Sequence, residues 1–120
     1  MKDLLYYAFI GDAVHTLFVR EEIAKEQNLK MDTLNSLASK FCRASHQAKV
    51  LDLIFNDLNE NEKELVRKTR NIKNKHKAKS VDTMTYKKAT CFEALVGFCY
   101  VENKKERLEF LLNKSIEGEK

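Results

Sequence analysis

The chain has 120 residues, 43% of them hydrophobic and 33% charged, with 22 Lys or Arg against 18 Asp or Glu and a net charge of +4. That length suits one domain, residues 1–120, with enough material to bury a core. No stretch is apolar for long enough to cross a bilayer and Met1 to Leu5 lack signal-peptide architecture, so a membrane protein is excluded and a cytoplasmic one expected.

Proline is absent, glycine occurs three times, and apolar residues recur at helical rather than alternating spacing. An all-α fold, a compact multi-helix bundle, is therefore predicted. The first helix is predicted from about Asp3 to Lys25. Its spacing puts Leu5, Ala8, Phe9, Asp12, Thr16, Val19 and Ile23 on one broad face. A carboxylate at Asp12 would then be poorly hydrated, which costs several kcal/mol unless it is paired or binds a metal, and no Lys or Arg lies within a turn of it on that face. Gly11 beside it gives away about 1 kcal/mol in a helix, so a close backbone approach is expected there. Two broken local rules side by side mark a candidate functional site.

Polar Glu26-Gln27-Asn28 predicts a break, after which Asp32 or Thr33 should cap a helix with Leu34, Leu37, Ala38 and Phe41 on its apolar side. The pattern weakens around Arg43 to Gln47. His46 reads there as a surface or helix-end residue rather than a binding residue. Ala48, Leu51, Ile54, Phe55 and Leu58 form the next stripe. Asn59-Glu60-Asn61-Glu62 has the form of a capping box opening a short helix through Leu65 and Val66.

The character then changes. Arg67, Lys68, Arg70, Lys73, Lys75, Lys77 and Lys79 follow one another without an acid, and leaving these seven cations out turns the chain's +4 into −3. Such crowding suits a polyanion, and the run, with Asn71 inside it, is the candidate nucleic-acid contact.

Ser80 or Asp82 should cap the next helix, a role preferred for Asp82 over that of a third metal ligand. Ala89, Glu93, Val96, Gly97 and Tyr100 share a face of it, so Glu93 is a second acid on an apolar helix. The mirrored pattern predicts that the two helices cross with Asp12 and Glu93 converging. Two close carboxylates repel, and a hard divalent cation relieves the repulsion. Mg²⁺, which uses one or two carboxylates together with water and substrate phosphates, fits this donor set. Glu102-Asn103 should close the helix, and Lys104 to Ser115, with Leu108, Leu111 and Leu112 on one side, should form a last one before a frayed tail, Glu117 to Lys120. Cys42, Cys91 and Cys99 all lie in helical patterns without CxxC spacing and read as reduced packing residues.

Phe9-Ile10-Gly11-Asp12-Ala13-Val14 resembles the signature helix of the ribonuclease III catalytic domain, and Phe92-Glu93-Ala94-Leu95-Val96-Gly97 resembles its second acidic helix. The chain is most similar to mini-ribonuclease III, the subgroup with the nuclease domain and no double-stranded-RNA-binding domain. Arg70 to Lys73, Asp82, Tyr86, Thr90 to Gly97, and Phe41 with Ala44, Gln47 and Ala48 read in register with it. Ribonuclease III proper has further acids where this chain has Ala8 and Thr90, and the subgroup lacks them too. Thr69 stands where the subgroup usually has Gly.

The resemblance implies a Mg²⁺-dependent endoribonuclease in which Asp12 and Glu93 are catalytic and metal-holding, cutting both strands of structured RNA to leave 5′-phosphate and 3′-hydroxyl ends. It further implies a homodimer with Phe9 at the subunit boundary, and precursor ribosomal RNA of the large subunit as substrate. Phe9 in the monomer's own core is the competing expectation from sequence. The rival functional reading is a non-catalytic RNA-binding helical module that keeps the fold. A helical protein-interaction domain is a third, and it leaves the basic run unexplained.

Overall fold

The computed structural model describes residues 3–26, 28–72 and 82–117. Lys73, Lys75, Lys77, Lys79 and Ser80 of the sequence reading, and the tail from Gly118, lie outside the described residues. Six α-helices are described, in the order α1 (Leu4–Ala24), α2 (Met31–Cys42), α3 (Ala44–Ile54), α4 (Glu60–Arg70), α5 (Thr83–Val101) and α6 (Lys105–Ile116), with a 3₁₀ turn at Phe55–Asp57. The described residues contain no strand, and the predicted all-α class is the one observed.

Local chemistry sets most of the boundaries. Asp3 caps α1 by accepting from the Leu5 amide, and Asp82 caps α5 by accepting from the Met84 amide and the Thr85 hydroxyl, as proposed for it. The capping box is complete: the Asn59 side chain accepts from the Glu62 amide and Glu62 accepts from the Asn59 amide. Glu62 also receives Nε and Nη2 of Arg107 from α6, so this almost fully buried carboxylate is charge-compensated as well as capping. Helix α5 ends in a Schellman turn with Asn103 at φ 60°, where the Lys104 amide donates to the Cys99 carbonyl and the Asn103 amide to that of Tyr100. One expected cap is displaced. Helix α2 begins at Met31 with Lys30 at the cap and no side-chain cap bond, so Asp32 lies inside its first turn.

Helix α5 is the centre of the bundle, packed against α1, α3, α4 and α6. Its Phe92, Ala94, Leu95 and Val96 are fully buried, and they share one core with Tyr7, Ile54, Leu65 and Leu111. A smaller cluster joins Val19 and Ile23 to Phe41 and Ile116. Cys91 and Cys99 are buried free thiols within the main core, as their packing role requires.

The buried face of α1 is not the one its sequence suggested. Tyr7, Ala8, Gly11, His15, Val19 and Ile23 point inward, while Leu5 and Phe9 are exposed, Phe9 by 78%. The face is rotated because Gly11, not a large side chain, makes the closest approach to α5. Tyr100 is likewise exposed rather than part of the apolar face it was grouped with.

Candidate active site

Helices α1 and α5 cross backbone against backbone. A Cβ on Gly11 would lie 1.7 Å from the carbonyl oxygen of Glu93, and one on Gly97 would lie 1.7 Å from that of Tyr7. No side chain fits at either place, so the glycines are reciprocal requirements of the crossing. Because Asp12 follows Gly11 and Glu93 precedes Gly97 by one turn, this contact carries the two acids to the same spot. Their carboxyl groups share a hydrogen bond, which gives the predicted convergence a geometric cause.

The two acids do not share one environment. Asp12 is exposed, which corrects the expectation of a poorly hydrated carboxylate, whereas Glu93 is half-buried. Burial first, then Asp12, push the Glu93 carboxyl up to about 8, and the nearby Gln47 amide acts in the opposite sense. Among the described residues no Lys or Arg forms an ion pair with either acid. Two adjacent carboxyls with no described Lys or Arg paired to them form a donor set that a hard divalent metal would satisfy. No third His, Cys, Asp or Glu joins them among the described residues, so solvent and substrate oxygens would complete the shell.

Three neighbours were not identified from sequence as belonging here. His15 is fully buried one turn beyond Gly11, and its Nδ1 lies 3.1 Å from Nε2 of Gln47, itself 2% exposed. Burial, with the nearby His46, pulls the His15 imidazole down to about 4. Cys42 is half-buried, and burial raises its thiol. The sequence signal for His15 was its place in a four-residue row with Tyr7, Gly11 and Val19, a row hidden by the choice of the wrong face. His46 is at a helix end as expected, in the first turn of α3, yet it is buried, with Nε2 2.5 Å from the Ser115 carbonyl oxygen.

The described part of the basic run occupies the last turn of α4 and its cap. Arg67, Lys68, Arg70 and Asn71 are all exposed, and Arg67 is engaged by Glu64 one turn back. Thr69, between them, is buried and donates its hydroxyl to the Leu65 carbonyl, so Thr fits here in helix.

Comparison with known proteins agrees with this arrangement of fold and acids. Residues 5–104 match the ribonuclease III domain. Mini-ribonuclease 3 of a Thermoanaerobacter species is 38% identical over 94% of this chain and 80% of its own length, and that of Staphylococcus aureus is 37% identical over 93% and 85%. A Fusobacterium nucleatum protein solved by X-ray crystallography superposes with a TM-score of 0.87 at 32% identity, covering 98% of this chain and 94% of that one. The chain belongs to the ribonuclease III family of endoribonucleases. Within that family it falls in the mini-ribonuclease III subgroup.

Proposed function

We infer that this endoribonuclease cleaves both strands of structured RNA in the cytoplasm with Mg²⁺ held by Asp12 and Glu93, leaving 5′-phosphate and 3′-hydroxyl ends, and that its substrate is precursor ribosomal RNA of the large subunit. The observation that carries the reading is the meeting of two carboxyls at a crossing too tight for any side chain, with no Lys or Arg among the described residues paired to them. The similarity to mini-ribonuclease 3 proteins supports the ribonuclease activity, and the ribosomal substrate is what the family resemblance implies.

The chain's own contribution is placement. Gly11 and Gly97 fix the separation of α1 and α5, and hence of the acids. Asp12, exposed, and Glu93, half-buried, are the residues that would hold the cation, and Glu93 would do so in its deprotonated form. Bound there, the metal supplies Lewis-acid polarisation of the scissile phosphate and a water of lowered pKa. We assign phosphate contacts to the exposed Lys68, Arg70 and Asn71, and the lysines that follow in the sequence add positive charge to the same run; A-form RNA is read mostly through backbone and shape. Two copies of the site, one per strand, require two chains. The exposed Leu5, Tyr6, Phe9 and Leu17 of α1 support pairing through that helix, and the 78% exposure of Phe9 speaks against the competing core role.

The test is Mg²⁺-dependent cleavage of a duplex RNA with analysis of the product ends. Asp12→Asn and Glu93→Gln should each abolish cutting while the helical fold and RNA binding persist. A variant that cuts at near the parental rate would remove that residue from the site.

A further inference from the structure

Between the start of α5 and Glu93 lies a positive charge to which the reading above gives no task. Lys87, Thr90 and Glu93 follow one another at steps of three, so they wind along one side of the helix over about 9 Å. Lys87 and Thr90 line one shallow pocket with Leu5 from the start of α1 and with Thr69 and Ile72 from the end of α4 and just beyond it. Three helices therefore meet one turn from Glu93, and Lys87 stands half-buried at their junction. Arg70 and Asn71 fall between Thr69 and Ile72, which brings the described start of the basic run alongside Lys87. Cations nearby are neutralised. Lys88, the next residue, pairs with Asp52 at 3.0 Å, and Arg67 pairs with Glu64. Asp82 caps its own helix, and the Thr90 hydroxyl, uncharged, donates to the Tyr86 carbonyl. Among the described residues neither Lys87 nor Arg70 has a hydrogen-bonding or ion-pair partner for its side chain.

We propose that Lys87 is an RNA-binding residue of the catalytic surface, one that carries the phosphate contacts of α4 across to the acidic pair and holds a backbone phosphate within a few nucleotides of the cleaved bond. An uncompensated ammonium beside an uncompensated guanidinium is a local excess of positive charge, and the phosphodiester is the anion that an RNA substrate brings to it. Lysine methylenes lying against apolar walls such as Leu5 and Ile72 leave the ammonium at the rim, in water. A compact charge with rotatable donors follows a phosphate oxygen without reading a base, so the contact positions the strand and specifies no sequence. The assignment rests on the reading of Asp12 and Glu93 as the cleaving site of an RNA nuclease.

The experiment is duplex RNA binding over a salt series in Ca²⁺, for the parental chain, Lys87→Gln, Lys87→Arg and Lys88→Gln, beside thermal unfolding of each. Gln keeps most of the stem and removes the charge. Lys87→Gln should flatten log K against log salt by about 0.9 per chain, taking B-DNA as the guide, while Lys87→Arg keeps the parental slope. Lys88→Gln makes the same charge change at a cation that Asp52 already holds, and its slope should stay parental. A parental slope in Lys87→Gln overturns the proposal, and so does equal flattening in both Gln variants, which would reduce the effect to net charge. Duplexes with one uncharged methylphosphonate at successive positions around the cut then locate the contact. The position that weakens the parental chain and leaves Lys87→Gln unaffected is the phosphate Lys87 holds, and a coupled position remote from the cut, or none, overturns the placement. If the parental chain binds no duplex RNA, or Asp12→Asn still cuts, the nuclease reading itself fails, a different result from a Lys87→Gln that alone binds as the parent does. Should Lys87→Gln not fold, acetylation of the parental chain decides by mass spectrometry. Saturating RNA in Ca²⁺ should slow the reaction at Lys87 far more than at the exposed Lys105 of α6, and equal rates would overturn the role.

Discussion

Asp12 and Glu93 carry the same functional group in opposite surroundings, and the difference gives the metal-free protein a characteristic pH response. The Glu93 carboxyl rises from 4.5 to about 8, so between those values the folded chain keeps a proton that the unfolded chain has released. Its stabilisation is complete below about 4.5 and is lost as pH climbs through about 8. The His15 imidazole falls from 6.5 to about 4, so its contribution is complete above 6.5 and is lost as pH drops through about 4. The two oppose each other between about 4.5 and 6.5, and above 6.5 only Glu93 is still changing. The unfolding midpoint of metal-free protein should thus decline from pH 6.5 to 8, and saturating Mg²⁺ should shrink that decline by holding the carboxylate form; a flat midpoint across this interval would contradict the Glu93 assignment. The acids themselves were legible in the sequence as charges on otherwise apolar helices. Their surroundings were not, because periodicity locates a face only to within a residue or so and the buried stripe of α1 is centred on a glycine, which no hydrophobicity count registers. Gln47 escaped for a related reason: a polar residue at the start of a helix reads as solvated until the neighbouring helices are placed.

At the scale of elements, the crossing of α1 and α5 is the most demanding contact. Gly11→Ala would drive a methyl into the Glu93 carbonyl, and relief requires one whole helix to move. The cost should reach or exceed the top of the usual overpacking range, about 3 kcal/mol, measured by chemical denaturation. Cleavage should fall further than the loss of folded protein explains, since the acids separate with the helices. The ends of α1, α4 and α5 were readable because Asp3, Asn59 and Asp82 act locally through their own side chains, whereas α2 starts without a side-chain cap and left no such signal. The basic run also belongs to this scale. Each phosphate contact on a duplex steepens log K against log salt by about 0.9, taking B-DNA as the guide, so Lys73, Lys75 and Lys77 changed together to Ala should flatten the slope by up to about 3 units per chain across unrelated duplexes. Binding over a salt series in Ca²⁺ reads this directly, and an unchanged slope would mean that the RNA docks elsewhere. Arg70→Lys should lose affinity at constant charge, because Lys cannot reproduce a bidentate hold.

For the whole molecule, the exposed apolar side of α1 is the feature a lone chain does not explain. Phe9, Leu5 and Leu17 line one helix whose opposite face is already committed to the core. Large apolar groups in such a place contribute most when a second subunit covers them. Sedimentation equilibrium should find the parental chain dimeric at micromolar concentration and Phe9→Ala shifted toward monomer, with cleavage falling in parallel. A monomeric parental chain that still cuts both strands would exclude the pairing. Sequence spacing left Phe9 open between core and boundary because a single helix does not say which of its apolar residues its own chain will cover.

The glycine crossing bears on binding as well as on folding. Peptide groups pressed together have no rotamers to lose, so the distance between the two helices, and with it most of the spacing of the acids, is already fixed before any ion or RNA arrives. The ordering entropy that a loop-borne site would surrender on each encounter is surrendered here once, when the chain folds. Affinity for a cation held by these acids would then reflect chiefly the exchange of its water for oxygen donors and the deprotonation of Glu93, with little conformational entropy of the protein left to oppose it.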